Sequence, residues 1–268
     1  MNIKNIDRIL DTETIRHLAP SVYATKPANH VSADYKFVNT GEVLNTLQSE
    51  GWGPVFAVQQ KVRRSFVADR ANGTKHMVLL RQLESKAQAT RLGGLIPTMQ
   101  IINSHDWSSR FEASFGMYRL VCSNGLIAAG AEFASFSIRH DTVAEDIQKV
   151  LGRFNSYSTK MMDRAEKWAS VQVSDSFRNR YAMDAARIRF GEDANSDHAE
   201  SLLVTRRVED VDANLWNLYN TVQENALKGG NKQGNMKRRS RELTNIGKAV
   251  EVNSELFNLT ESYASLVV

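Results

Sequence analysis

The chain has 268 residues, of which 42% are hydrophobic, enough to bury one large core or two small ones. Its single cysteine excludes an internal disulfide, and without a Cys-x-x-Cys pair neither a structural zinc nor a redox dithiol is expected. A net charge of +4 and a pI of about 9.1 form a modest basic excess that favours phosphate-bearing partners over basic ones. No run approaches the roughly 20 apolar residues that span a bilayer. Residues 1–18 are charged and lack an apolar signal core, so a cytoplasmic protein without membrane contact is expected.

Residues 1–34 include Pro20 and Pro27 among scattered Asn, Thr and His, and read as a mostly irregular arm with one short helix near 7–18. Thr40 is the expected N-cap of a helix in which Val43, Leu44 and Leu47 recur at helical spacing until Gly51 and Gly53 stop it. In 55–66, Phe56, Val58, Val62 and Phe66 share one face, and Gln59, Lys61, Arg63 and Ser65 the other, as in a half-exposed strand. Asn72-Gly73 then signals a tight turn into an apolar run at 75–83, so the two runs read as a hairpin. After a polar connector at 84–95, strands are expected at 97–104, 109–122 and 132–139, with a bulge at Gly116 where the alternation changes phase.

From residue 142 the period becomes helical. Val143, Ile147, Val150, Leu151, Phe154, Met161, Ala165 and Trp168 step by three or four, which predicts one long amphipathic helix over 142–170. Helices are expected also at 174–190, 210–228 and 240–263, around an acidic turn at 192–198. The fold class is therefore α+β: an antiparallel strand meander with an N-terminal helix, followed by a helical C-terminal half. The expected division is an arm (1–34), a β-rich domain (35–141) and a helical region (142–268) packed on it.

Two strand-like runs end in clusters of reactive or turn-forming residues. Asn103, Ser104, His105 and Asp106 close the first, and Arg119, Cys122, Ser123, Asn124 and Gly125 close the second. If the runs pair as neighbours, these ends are candidates to meet in one site. The chain resembles a family of uncharacterised phage- and plasmid-encoded proteins, known as phage/plasmid-like proteins, in the Asn103-Ser104-His105-Asp106 segment and the segment from Arg119-Leu120-Val121-Cys122 to Ser123-Asn124-Gly125-Leu126. The resemblance runs from about residue 35 to the C-terminus and takes in Arg139, His140 and the segment 215–220. It implies a mobile-element origin in a bacterial host and no particular activity. The family pattern usually has Gly after the Asp, where this chain has Trp107, a bulky residue expected to alter the turn.

The chemistry of these clusters is restricted by strand geometry. Ser104, His105 and Asp106 are consecutive, and consecutive strand side chains point to opposite faces, so they form no nucleophilic triad unless a turn intervenes. Their alternative role is to cap the turn and satisfy its amides. Cys122 reads as a small buried apolar residue. His105, Asp106 and His140 would suit a divalent metal if they converged, but no His-x-x-His or His-Glu-x-x-His spacing supports it, and no metal or other cofactor is expected. His17, His30, His76 and His198 read as surface or packing residues. Neither a Walker A loop, a dinucleotide fingerprint nor a Gly-x-Ser-x-Gly elbow is present.

Basic residues form the stronger theme. Lys228, Lys232, Lys237, Arg238, Arg239 and Arg241 crowd a Gly- and Asn-rich, flexible stretch at the start of the last helix, and Lys61, Arg63, Arg64 and Arg70 form a second patch. Such clusters bind phosphate, or serve only as solvated loops. Trp107 is the ring most open to solvent, with Phe111 near the same turn and Trp52 after the first helix, whereas Trp168, Trp216 and Tyr219 sit at core spacing. The two basic clusters, with Trp107 and Arg119, make up the candidate nucleic-acid surface.

The leading expectation is a cofactor-free, homo-oligomeric protein that binds nucleic acid, single-stranded DNA above all, in replication, recombination or annealing. In outline the meander backed by helices is similar to the ring- and filament-forming annealing proteins of phages, an analogy of fold only. The alternatives are an anti-defence protein that binds a host protein complex, and a metal-dependent nuclease or phosphoesterase centred on His105, Asp106 and His140.

Overall fold

A computed structural model describes residues 8–32, 35–61, 73–84, 92, 94–119, 124–127, 136–137 and 143–266. The arm begins with helix α1 (Thr12–Leu18), capped by Asp11, whose carboxylate accepts from the Thr14 amide at 2.7 Å. A 3-10 turn follows at Pro20–Tyr23. Helix α2 (Thr40–Ser49) starts where the periodicity predicts, but its cap is Asn39, which accepts from the Gly41 and Glu42 amides. Thr40 is buried one position inside and has other work, described below.

The sheet comprises β1 (Trp52–Gln59), β2 (His76–Gln82), β3 (Leu95–Asn103), β4 (Glu112–Arg119), β5 (Asn124–Ile127) and β6 (Phe136–Ser137). The first five lie in sequence order as an antiparallel meander, and β6 also pairs with β4, at Glu112 and Ala113. The strands predicted at 55–66 and 109–122 are displaced: β1 starts at Trp52, and β4 ends at Arg119 before β5 folds back on it. The expected bulge at Gly116 is absent, since the β3–β4 register runs unbroken with Gly116 opposite Thr98. The irregularity sits instead in β1 between Pro54 and Phe56, where proline has no amide for the ladder. Asn72 of the predicted tight turn and most of the predicted 132–139 strand lie outside the described residues.

Every residue of β3 is buried, so both of its faces are covered. On one face Met99 and Ile101 join Val43, Leu44 and Leu47 of α2 and Ile147, Val150 and Phe154 of helix α3 (Val143–Ser170). On the other, Ile102 and Met77 meet Ile246 at the start of helix α7 (Ile246–Ser265). Between them come α4 (Asp175–Phe190), α5 (Ser196–Leu202), a 3-10 turn at Val208–Asp210, and α6 (Leu215–Lys228). Trp168, Trp216 and Tyr219 are core residues as their spacing predicts; the Trp168 ring lies 5.2 Å from those of Tyr219 and Phe257.

Helix α3 joins the two halves. Its Phe154 packs on Trp52 at 4.5 Å and Phe115 at 5.2 Å, while its Trp168 packs among α6 and α7 together with Leu95 and Met117 of the sheet. Phe154→Ala should therefore lower stability by about 3–5 kcal/mol. Urea denaturation measures this, and a loss below about 1 kcal/mol would show that α3 does not hold the sheet.

Candidate nucleic-acid interface

The two sequence clusters do not meet. Strands β3 and β4 are antiparallel neighbours, as expected of the meander, with Leu95 opposite Arg119 and Ile102 opposite Glu112. The end of one strand therefore lies beside the start of the other. Asn103–Asp106 and the paired Arg119 and Asn124 stand at opposite ends of the sheet, a strand length of about 25 Å apart. Cys122 and His140 lie outside the described residues, as do Ser123, Arg63, Arg64 and Arg70. Asn124 and Gly125 begin β5, with Asn124 opposite Arg119 and Gly125 opposite Tyr118.

At the first end, Asn103, Ser104 and His105 are wholly buried and build a hydrogen-bonded layer. Asn103 Nδ2 donates to Thr40 Oγ1 at 3.0 Å and to the Val38 carbonyl at 3.3 Å. His76 Nδ1 donates to the Thr74 carbonyl at 3.0 Å, which leaves Nε2 to accept from the Thr40 hydroxyl at 2.9 Å. His105 Nε2 donates to the Ser21 carbonyl at 2.9 Å, and its backbone bonds Gly73 and Ala28. The motif thus ties the N-terminal arm to the tips of β2 and β3. In this place His105 acts as a clasp.

The rings of His76 and His105 lie 5.1 Å apart, with Phe37 4.7 Å from His105. Burial, and then the neighbouring imidazole, push the His76 pKa down from 6.5 to about 3. Because the unfolded chain takes up this proton near pH 6.5 and the folded chain only near 3, the folded state loses stability as pH falls through that window. The slope reaches at most about 1.4 kcal/mol per pH unit for the single group. Among described groups, Asp106 opposes the shift electrostatically. Chemical denaturation from pH 7 to 5 should show the decline, and His76→Gln should flatten it; an unchanged slope in the variant would exclude His76 as the source.

At the opposite end, Arg119 is not a surface contact for phosphate. Its side chain is 2% exposed and its guanidinium meets Asp210 at 2.6 Å, also 2% exposed. Arg119 Nε donates to the Leu92 carbonyl at 2.7 Å, a group that also accepts from Trp216 Nε1 at 3.3 Å. Burial raises the Asp210 pKa despite the attraction of Arg119. Asp210→Ala should cost about 3–5 kcal/mol because it leaves a buried cation unpaired, whereas Arg119→Met with Asp210→Leu should recover most of the loss. Equal stabilities for the single and double variants, by thermal denaturation, would contradict a desolvated pair.

The basic segment after α6 is held in place, contrary to the flexible stretch expected. Gly229, with φ +61°, ends the helix so close to Arg241 that an added Cβ would stand 2.7 Å from its carbonyl carbon. The Gly230 amide bonds the Ser240 carbonyl at 2.8 Å, and the Ser240 amide the Asn231 carbonyl at 3.0 Å. Arg206 reaches in to Asn225, Asn231 and the Gly229 carbonyl. Asn231 Nδ2 donates to the Ser201 carbonyl at 2.9 Å, and the Asn235 amide bonds Asp197 at 2.8 Å. Arg189 holds the Arg241 carbonyl at 2.6 Å. Neither the buried Asn225 nor Arg206 was singled out from sequence; the signal was the run of Asn and Gln on an otherwise apolar helix.

On this frame Lys232, Lys237, Arg238, Arg239 and Arg241 are all exposed, and among the described residues none forms an ion pair. Lys228 is different: it is paired with the buried Glu224 at 2.9 Å, which also takes Arg207 at 2.7 Å. The cationic segment leads into α7, whose Ile246 packs on Met77 and Ile102 beside the Asn103 layer. The helix thus starts later than the predicted 240, and the arginines precede it. Lys61 is exposed just beyond β1, near Lys75, whose carbonyl bonds the Gln60 amide. Trp107 is 66% exposed as expected, while Phe111 and Trp52 are buried.

Residues 27–253 match the family described as Domain of unknown function (DUF932). The chain belongs to the DUF932 family. It is 32% identical to UPF0380 protein YfjQ and 31% identical to UPF0380 protein YafZ, both of Escherichia coli (strain K12), each over 97% of this chain and 94% of the relative. No solved structure matches. Among the described residues no helix is long and apolar enough to cross a membrane, and no group of three His, Cys, Asp or Glu could hold a metal.

Proposed function

We propose that this DUF932 protein binds nucleic acid through its phosphates, with single-stranded DNA as the favoured substrate, in the replication, recombination or annealing of a mobile element. The supporting observation is the cationic segment 232–241, whose exposed Lys and Arg form no ion pair among the described residues although the backbone beneath them is pinned by Arg206, Asn225 and Asn231. Positive charge that merely solubilises needs no such frame. A pinned backbone leaves less chain to order when its cations meet phosphate, and each phosphate neutralised releases counterions. The reading needs no cofactor. The phage/plasmid resemblance supplies its setting.

Electrophoretic titration with an oligonucleotide at low and raised salt tests it. Arg238→Gln with Arg239→Gln should weaken binding several-fold and reduce the salt slope by about 1.4, from roughly 0.7 per phosphate on single strands. Stability should stay within about 0.5 kcal/mol. Arg206→Ala should weaken binding as well, by loosening the frame. No shift at micromolar protein would sink the reading.

A further inference from the structure

The residue after the Asn-Ser-His-Asp segment is held in a conformation that suits glycine. Trp107 has φ +65°, and it is the only non-glycine among the described residues with positive φ. A bulky side chain is strained there. The turn around the indole is closed by hydrogen bonds: Asp106 Oδ1 accepts from the Ser108 amide at 3.0 Å, and Ser104 Oγ both donates to the Ser109 carbonyl at 3.1 Å and accepts from its amide at 2.8 Å. The strain returns little packing. Trp107 is 66% exposed, whereas Trp52, Trp168 and Trp216 are at most 2% exposed. Its neighbour Tyr35, ring 6.2 Å away, is fixed by a 2.9 Å bond from its hydroxyl to the Ser104 carbonyl.

Beside this turn lies a groove of about 450 Å³ in the N-terminal arm, lined by Arg16, Tyr23, Lys26, Asn29 and Gly73 among others. The Arg16 guanidinium stands 4.3 Å over the Tyr23 ring, and neither Arg16 nor Lys26 has a carboxylate partner among the described residues. Gly73 joins groove and turn, since an added Cβ would lie 3.0 Å from Ala28 and 3.4 Å from Asp106. The His105 clasp, bonded to Ser21, Ala28 and Gly73, braces the wall between them. Arg110, three residues after Trp107, is exposed; Asp106, the one acid at the turn, spends an oxygen on the Ser108 amide.

We propose that Trp107 and the Arg16–Lys26 groove form one subsite for an unpaired nucleotide, with the base stacked on the indole and an adjoining phosphate in the groove. The assignment rests on the nucleic-acid reading above and adds to it: the basic segment binds phosphate in any strand, while this subsite selects unpaired bases. A base inside a duplex is stacked on its neighbours and cannot reach the ring.

Fluorescence anisotropy with labelled oligothymidine and with a duplex of equal length tests the proposal on the whole chain. Trp107→Gly should weaken single-strand binding roughly ten-fold, as expected for one lost stacking contact, and leave duplex binding unchanged. Its melting temperature should be at least that of the parent, because glycine suits the backbone. Arg16→Ala with Lys26→Ala should weaken single-strand binding several-fold, lower its salt slope by about 1 and leave the melting temperature unchanged. If the parent binds both substrates and neither variant changes either affinity, the subsite is wrong and the basic segment alone binds. Binding to neither substrate by the parent overturns both readings.

Discussion

The bond between Arg119 and Asp210 is the constraint on which the arrangement of the two halves depends. Arg119 ends β4 and Asp210 lies between α5 and α6, so a sheet residue and a helical-region residue meet at 2.6 Å with both side chains 2% exposed. Neither charge tolerates that environment alone, because desolvation outweighs anything a lone ion recovers there. The Leu92 carbonyl, shared by Arg119 and Trp216, extends the junction from the sheet to α6. Apolar contact among Leu95, Met117, Trp168 and Trp216 supplies adhesion without direction. The ion pair supplies direction, since its geometry admits one seating of α6 against the end of β4.

The opposite end of the sheet is closed by neutral groups. Asn103, Thr40 and His76 exchange hydrogen bonds through buried side chains, and the buried His105 ring donates to the Ser21 carbonyl. Such a layer is stable only while each donor faces an acceptor, which holds His76 to one neutral tautomer. The two sequence clusters that look like parts of one site are thus two fasteners. One attaches the helical half and the other attaches the arm, and the strand between them keeps both away from each other.

Period and charge were readable in the sequence, and contact was not. The 142–170 helix and the core placement of Trp168, Trp216 and Tyr219 followed from spacing, which samples the local period directly. The antiparallel meander expected from the sequence already implies that consecutive strands end at opposite edges of the sheet, so a meeting of the two clusters conflicts with it. Arg119 looked like a surface cation because its partner lies far along the chain, in a turn with no periodic signal of its own. The basic segment looked flexible for a similar reason: Gly and Asn imply freedom until Arg206 and Asn225, from other elements, are seen to use it.

These fasteners also explain how an exposed surface of fixed shape arises on loops. The Asn103 layer leaves the following turn with no freedom to move away, so Trp107 stays in a left-handed conformation that a loose loop would relax. The Asn225–Asn231 network does the same for the cations after α6, holding like charges together against their repulsion. In both places buried polar residues fix an exposed group that gains little from its own packing. Ile246 carries the second into the first, because its contact with Met77 and Ile102 brings the end of the cationic segment to the sheet end that bears Trp107. On the proposed reading, a single strand laid across that end meets charge and an aromatic ring on one frame, which a stacked duplex uses only in part.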